Sequence, residues 1–278
     1  MNSPLAQIVA LTCYGNASLN GASLAPFFPG NSTCQYCDSL TWVELKKNLF
    51  GNSKEKAVAL TFEEWIARLR KSGATAIRLQ HESRNNPTIS DRMSAGFVGG
   101  GGYWNMEVLR ADGQSDFWAA RWVVWNKQAP GDRIWRVTYG LLNSAGTRPD
   151  TRRGLAAIEA DFKKALEAIH AFSARESCGG FTDSFAKALH AFANPDSEVE
   201  YHKDLIPPNQ LSASAASMLK ATSCAWVFGG MGSWNDMGFQ GATQQEYEKV
   251  SDDLFNVMNE AVAVAASSGA RTVPAASR

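Results

Sequence analysis

The sequence predicts an α+β fold, and three observations carry that prediction. Three β-rich runs cluster between residues 103 and 142, helical periodicities dominate from residue 155 onward, and no regular alternation of strand with helix intervenes. A central sheet containing an antiparallel meander at about 103–142, packed by long helices from the C-terminal half, is the expected architecture.

The first sixty residues look irregular. Ile8–Cys13 is expected as a short strand, and Gly15, Gly21, Pro26, Pro29 and Gly30, set among Asn and Ser, then point to loops. Thr61 is placed to cap a helix, with Glu63 and Glu64 in its first turn, Trp65, Ile66 and Leu69 as its apolar stripe and Gly73 at its end. Thr75–Gln80 alternates as a strand.

The meander is the clearest segment. Tyr103–Arg110, Phe117–Asn126 and Arg133–Leu142 are the strands; Asp112-Gly113 marks the first turn and Pro130-Gly131 the second. In the middle strand Phe117, Arg121, Val123 and Trp125 fall on one face, with Trp118, Trp122 and Val124 on the other. A strand apolar on both faces is expected to be covered on both, by helices or a partner subunit.

After Pro149 the period changes. Leu155, Ile158, Phe162, Leu166, Ile169 and Phe172 give one helix face, capped by Asp150 or Thr151, with Glu159 and Lys163 paired outside. Phe181–Phe192 and Ser212–Lys220 are shorter helices. Thr243 opens the last, with Tyr247, Val250, Leu254, Met258, Ala261 and Ala265 inward. With no repeat and no linker, one domain over 1–268 is expected, its segment 1–60 irregular and cysteine-bearing and its tail 269–278 frayed.

Composition narrows function only by exclusion. The chain has 278 residues, 27 Lys plus Arg against 27 Asp plus Glu, and nine Trp with fourteen Phe. A formal net charge of zero argues against nucleic acid as partner and leaves self-association unopposed by repulsion. No apolar run approaches the roughly 18 residues of a membrane span, and no basic segment precedes the apolar N-terminal stretch, so a cytoplasmic protein is expected. Asn16-Ala17-Ser18 and Asn31-Ser32-Thr33 match the glycosylation pattern, which carries no meaning in that compartment. Five cysteines, an odd number, fit reduced thiols.

Four segments carry candidate chemistry. Cys34 and Cys37, spaced as a CxxC, could grip zinc with Cys13, but the spacing supplies no fourth ligand. Three buried thiols and no cofactor is the simpler expectation. His81-Glu82-Ser83-Arg84 ends a strand; there His81 suits proton transfer, Glu82 is its acidic neighbour, and Arg84 could hold a carboxylate. Gly99–Gly102 lacks the Lys and Ser or Thr of a phosphate loop. Val227–Phe239 surrounds Asn235-Asp236 with glycines and aromatics, a composition found in binding loops; Asp236 is the candidate base, Trp234 and Asn235 the candidate ligand contacts. Two function classes follow. The first is a non-catalytic intracellular protein acting through self-assembly or a protein partner. The alternative is a small-molecule enzyme, a hydrolase or transferase, with a composite site from His81–Arg84 and Trp234–Asp236.

Overall fold

The computed structural model describes residues 1–47, 53–97, 100–146, 150–194, 196–197 and 202–270. The N-terminus is not irregular. Ser3–Leu19 is a helix, α1, capped by the Asn2 side chain on Leu5 N–H. Every residue from Leu5 to Cys13 is buried. A run apolar on all sides has no helical period to read, so a buried helix and a buried strand look alike in sequence. Gly15 and Asn16, which look like turn residues, sit inside the helix for tertiary reasons. A Cβ on Gly15 would lie 2.5 Å from Ile77 Cδ1. Asn16 is buried against the sheet, which removes it as a glycan acceptor.

Cys37–Lys47 (β1) and Ser53–Ala59 (β2) follow as an antiparallel pair. Phe62–Lys71 is α2, capped by Thr61 Oγ1 on Glu64 N–H (3.1 Å) as its sequence predicts. Ala74–Glu82 is β3, Asp91–Ser94 a single helical turn α3, Tyr103–Arg110 β4, Gln114–Val124 β5 and Trp135–Gly146 β6. The strand order is β2-β1-β6-β5-β4-β3. The predicted meander is therefore four strands, β3 to β6, inside a six-stranded mixed sheet. The added pair joins by parallel pairing of β1 with β6, in which Trp42 lies beside Tyr139. The β4–β5 turn is the predicted Asp-Gly: Gly113 has φ 76° and Asp112 Oδ1 accepts Gln114 N–H.

Four helices complete the fold: Leu155–Arg175 (α4), Gly180–Ala193 (α5), Ala213–Ala225 (α6) and Gly241–Ser267 (α7). All six residues assigned inward on the last helix are buried. The expected cap of α4 is different. Gly154 holds the N-cap position without a side-chain bond, and Asp150 instead pairs with Arg152 (2.8 Å) and reaches Arg78 (3.6 Å). Glu159 takes the hydroxyl of Ser214.

One face of the sheet carries Leu40, Trp42, Val137, Tyr139, Trp118, Met106, Ile77 and Leu79 and is buried under α1, α2 and α7. Trp65 of α2 stacks on Trp42 at 5.2 Å and meets Trp118 edge-on at 6.1 Å. The opposite face has no comparable helical cover among the described residues. Phe117 and Glu107 are buried there, where Gln80 and Ser115 hold the Glu107 carboxylate at 2.7 and 2.9 Å. Further along the same face Val123 is 48% exposed and Arg121 pairs in the open with Glu55. Along this face of β5, Phe117 is thus buried and Val123 exposed.

Candidate ligand-binding cavity

Where β3 ends, His81 Nε2 lies 3.1 Å from Gly101 O and its ring packs on Trp104, centroids 4.5 Å apart. The hydrogen bond requires the ring proton on Nε2. Gly102, at φ 90°, leaves no room for a side chain: a Cβ there would stand 2.2 Å from His81 Nε2. The described glycines of the 99–102 run therefore wrap a histidine instead of a phosphate; Gly99 lies outside the described residues. Burial holds the His81 pKa below its usual value, against the opposing pull of Gly101 O, Asp91 and Glu82. The ring is neutral at pH 7 and committed to the loop. Glu82 is exposed. Arg84 lays its guanidinium over the Tyr103 ring, 4.2 Å from the centroid.

The Trp234–Asp236 segment is an anchor. Trp234 is fully buried, donates from Nε1 to Ser251 Oγ (2.7 Å) and is ringed by Phe181, Phe185, Phe172 and Tyr247. Tyr247 OH donates to Trp234 O at 2.6 Å. Asn235 accepts from Arg92 Nη1 (3.2 Å) and donates to Arg92 O (2.9 Å), and Asp236 accepts Gly232 N–H. Its unusual composition therefore reflects packing. α3 links the two candidate segments: Asp91 accepts Arg84 N–H on one side, and Arg92 grips Asn235 on the other.

The cysteines divide differently from the CxxC expectation. Cys34 and Cys37 both lie 3.6 Å from Gln7 Nε2, whereas Cys13 points to Ala266 O on α7. Donation to Cys37, then burial, pushes the Cys34 thiol up and correspondingly lowers Cys37; burial alone pushes Cys13 up to about 12. Among the described residues no group of three or more His, Cys, Asp or Glu is arranged to hold a metal ion.

A large concavity lies elsewhere. A cavity of about 1500 Å³ opens between the helix-covered sheet face and the helical layer. Its floor is sheet: Trp104 of β4, Ala120 and Trp122 of β5, and Trp135 of β6, with Trp122 and Trp135 edge-to-face at 6.0 Å. Leu5 and Ile8 of α1 form one wall, and Trp226, Val227 and Phe228 after α6 form another. Gly96 meets Gly229 and Gly230 backbone to backbone at its edge; a Cβ on Gly96 would stand 2.2 Å from Gly229 C and O. Polar groups are interspersed around it, among them Asn2 and Ser3 at the start of α1, Ser184, Lys187 and His190 on α5, Ser223 and Cys224 on α6, and Arg84. Lys187, His190, Arg84 and Tyr103 are exposed and mark the mouth.

Of the candidate segments singled out in sequence, Arg84, Gly100–Gly102, and Val227–Gly230 with Ser233 line this cavity; His81, Glu82, Trp234, Asn235 and Asp236 do not. The tryptophan floor was readable in part, since alternation puts Trp118 and Trp122 on one face. That five separate segments would close around it was not. A second cluster also escaped notice. Ser32 Oγ lies 3.1 Å from His202 Nδ1 and bonds Asp204, whose carboxylate also accepts Ser32 N–H (2.8 Å). Although His202 lines a smaller cavity of about 310 Å³, Ser32 does not, so the trio staples the 202–205 segment to the turn at Asn31–Cys34.

Among the described residues, no helix is long and apolar enough to cross a membrane. Comparison with protein-family models, curated proteins and solved structures finds no match to this chain.

Proposed function

We propose that this chain is a binding protein for an apolar small molecule, held in the tryptophan-floored cavity. The observation that carries the reading is the cavity's size joined to its lining. About 1500 Å³ exceeds the roughly 300–1,000 Å³ of ordinary small-molecule pockets. Trp104, Trp122, Trp135, Trp226 and Phe228 offer flat apolar surface in a rigid setting, so little side-chain entropy is lost on binding. The enzyme alternative draws less support, because His81 is committed to Gly101 and Asp236 to Gly232.

Cys224 supplies the test. It lines the cavity and is half-buried, while Cys13, Cys34, Cys37 and Cys178 are buried. A maleimide is expected to label Cys224 first in the folded protein. An apolar probe such as N-phenyl-1-naphthylamine, at saturating concentration, is expected to slow that labelling several-fold. Unchanged labelling at saturation contradicts the reading.

A second reading, self-association, rests on a separate observation. Leu45 and Leu142 are each 60% exposed, and Val123 stands on the same open sheet face. Light scattering over a range of concentrations distinguishes a monomer from a dimer formed through that strip, and Leu142→Lys is expected to disperse the dimer.

A further inference from the structure

Cys34 and Cys37 do not line the cavity, yet both answer to one buried amide. Gln7 is fully buried on α1, within the run Leu5–Cys13 that is covered on every side. A polar group in such a place is costly unless its hydrogen bonds are met. Its Nε2 lies 3.6 Å from both Cys34 Sγ and Cys37 Sγ and 3.3 Å from Thr33 O, while Tyr139 OH donates to its Oε1 at 3.3 Å. Cys37 Sγ also turns back toward Thr33 O, the carbonyl joined to Cys34, at 4.0 Å. The two sulfurs thus share one donor and stand within hydrogen-bond reach of each other, Cys34 donating to Cys37. Between them Gln35 and Tyr36 are exposed, so the pair faces inward from a turn at the surface.

We infer that Cys34 and Cys37 form a reversible disulfide by exchange with a low-molecular-weight disulfide such as glutathione disulfide, Cys37 attacking and Cys34 resolving. The inference stands apart from the cavity reading. The order of the two thiols follows from their hydrogen bonds. Donation from Cys34, joined by donation from Gln7, favours the Cys37 thiolate against the effect of burial and lowers its pKa; the Cys34 thiol is pushed up by the same contact and then by burial. Cys37 loses its proton to solvent and attacks one sulfur of the small disulfide, whose S–S bond breaks and releases one small thiolate. Cys34 then gives up its proton and attacks Cys37 Sγ, which forms the protein disulfide and releases the second small thiolate. The protein dithiol is oxidised, the small disulfide is reduced to two thiols, and the two protons end on them. Both cysteines are 1% exposed, so exchange waits on local lifting of the turn and is slower than at a free cysteine. Cys13 has no part in it, because its sulfur points to Ala266 O on α7.

The test uses the full chain in a Cys224→Ser background, which removes the half-buried thiol. The protein is equilibrated in glutathione buffers of rising oxidation, quenched in acid, alkylated unfolded and analysed by mass spectrometry. Loss of two thiols, no retained glutathione, and a bond mapped to Cys34 and Cys37 that dithiothreitol reopens are expected. With Cys34→Ser added, glutathione is expected to stay on Cys37, since nothing resolves it. With Cys37→Ser added, the adduct on Cys34 is expected to form at least about tenfold more slowly. In the Cys34→Ser protein the rate is expected to rise with pH through a midpoint below the ordinary thiol value of about 8.5. Gln7→Leu is expected to move that midpoint up, a change that lost packing alone does not produce. Cys13 and Cys178, both buried, should stay unmodified and so report folding; a serine variant that fails this check is replaced by alanine at the same position. Both thiols remaining reduced while glutathione is almost wholly oxidised would overturn the disulfide, as would glutathione persisting on Cys37 of the parent. Equal rates for the two single variants would overturn the assignment of attacking and resolving thiol.

Discussion

Asn16 and Ile77 exchange two hydrogen bonds: Asn16 Nδ2 donates to Ile77 O and Asn16 Oδ1 accepts Ile77 N–H, both at 2.8 Å. The side chain of a buried helix thereby stands in for a neighbouring strand. β3 is an edge strand, and an edge leaves backbone groups that water or another chain must satisfy. Ser267 of α7 continues the device, its Oγ accepting Leu79 N–H at 2.8 Å. Helices thus close an edge that would otherwise be open, and they fix α1 as one wall of the cavity.

Removing the amide leaves a buried N–H and a buried C=O on Ile77 without partners. Asn16→Ala is expected to cost about 2–4 kcal/mol in urea unfolding. Asn16→Asp is the sharper test. Its carboxylate can accept from Ile77 N–H but not donate to Ile77 O, so it is expected to be at least as destabilising as alanine above pH 6. A loss below roughly 0.5 kcal/mol for both would show that water replaces the amide.

The glycine contact at the cavity edge gives a paired prediction. A Cβ on Gly96 meets Gly229 and Gly230 backbone at 2.2–2.4 Å, whereas a Cβ on Gly229 meets only Ser233 Cβ, at 3.6 Å. Backbone cannot rotate away, so Gly96→Ala must move one loop off the other, at a cost of about 1–3 kcal/mol. It is also expected to weaken uptake of an apolar probe. Gly229→Ala is expected to keep both stability and uptake. Equal behaviour of the two variants in thermal unfolding and probe titration would contradict the close packing.

Stability is expected to fall in mild acid. Burial lowers the His81 pKa below its ordinary 6.5, and His202 shifts the same way for the same first cause. Above pH 6.5 both states hold these rings neutral and nothing is lost. As pH falls through 6.5 the unfolded chain takes up protons that the folded chain resists, and the penalty grows until pH passes below the folded values. Urea midpoints at pH 7.5, 6.0 and 5.0 are expected to decline in that order. His81→Gln, which can still donate to Gly101 O, is expected to flatten the decline in part, with His202 and the buried Met1 amine, its pKa lowered by burial to about 5, contributing to the remainder. An unaltered decline in the variant would remove His81 from the account.

What could be read from the sequence, and what could not, follows from the range of the forces involved. α4 and α7 were legible because an amphipathic helix writes its period locally. Thr61 and Asp112-Gly113 were legible because a cap and a turn are made within a few residues. α1 was not, since its Leu5–Cys13 run is buried on every side and its Gly15 and Asn16 answer to Ile77, sixty-one positions away for Asn16. The parallel pairing of β1 with β6 was hidden for the same reason: Trp42 finds Tyr139 across nearly a hundred residues, with no local signal. The Val227–Phe239 segment did stand out, but its Trp234 serves the aromatic core. The cavity was invisible because no single segment contains it.

The central claim is that the cavity takes up an apolar molecule, and energy transfer measures it most directly. Trp104, Trp122, Trp135 and Trp226 line the cavity, so a bound N-phenyl-1-naphthylamine sits within reach of several donors. Titration is expected to quench tryptophan emission, raise probe emission, and saturate at one probe per chain. Ala120→Trp, which fills the floor, is expected to weaken binding at least about tenfold, the scale of a lost apolar contact surface. Circular dichroism should confirm that the variant keeps its fold. Absence of saturable transfer, or equal binding by a folded Ala120→Trp protein, would contradict the claim.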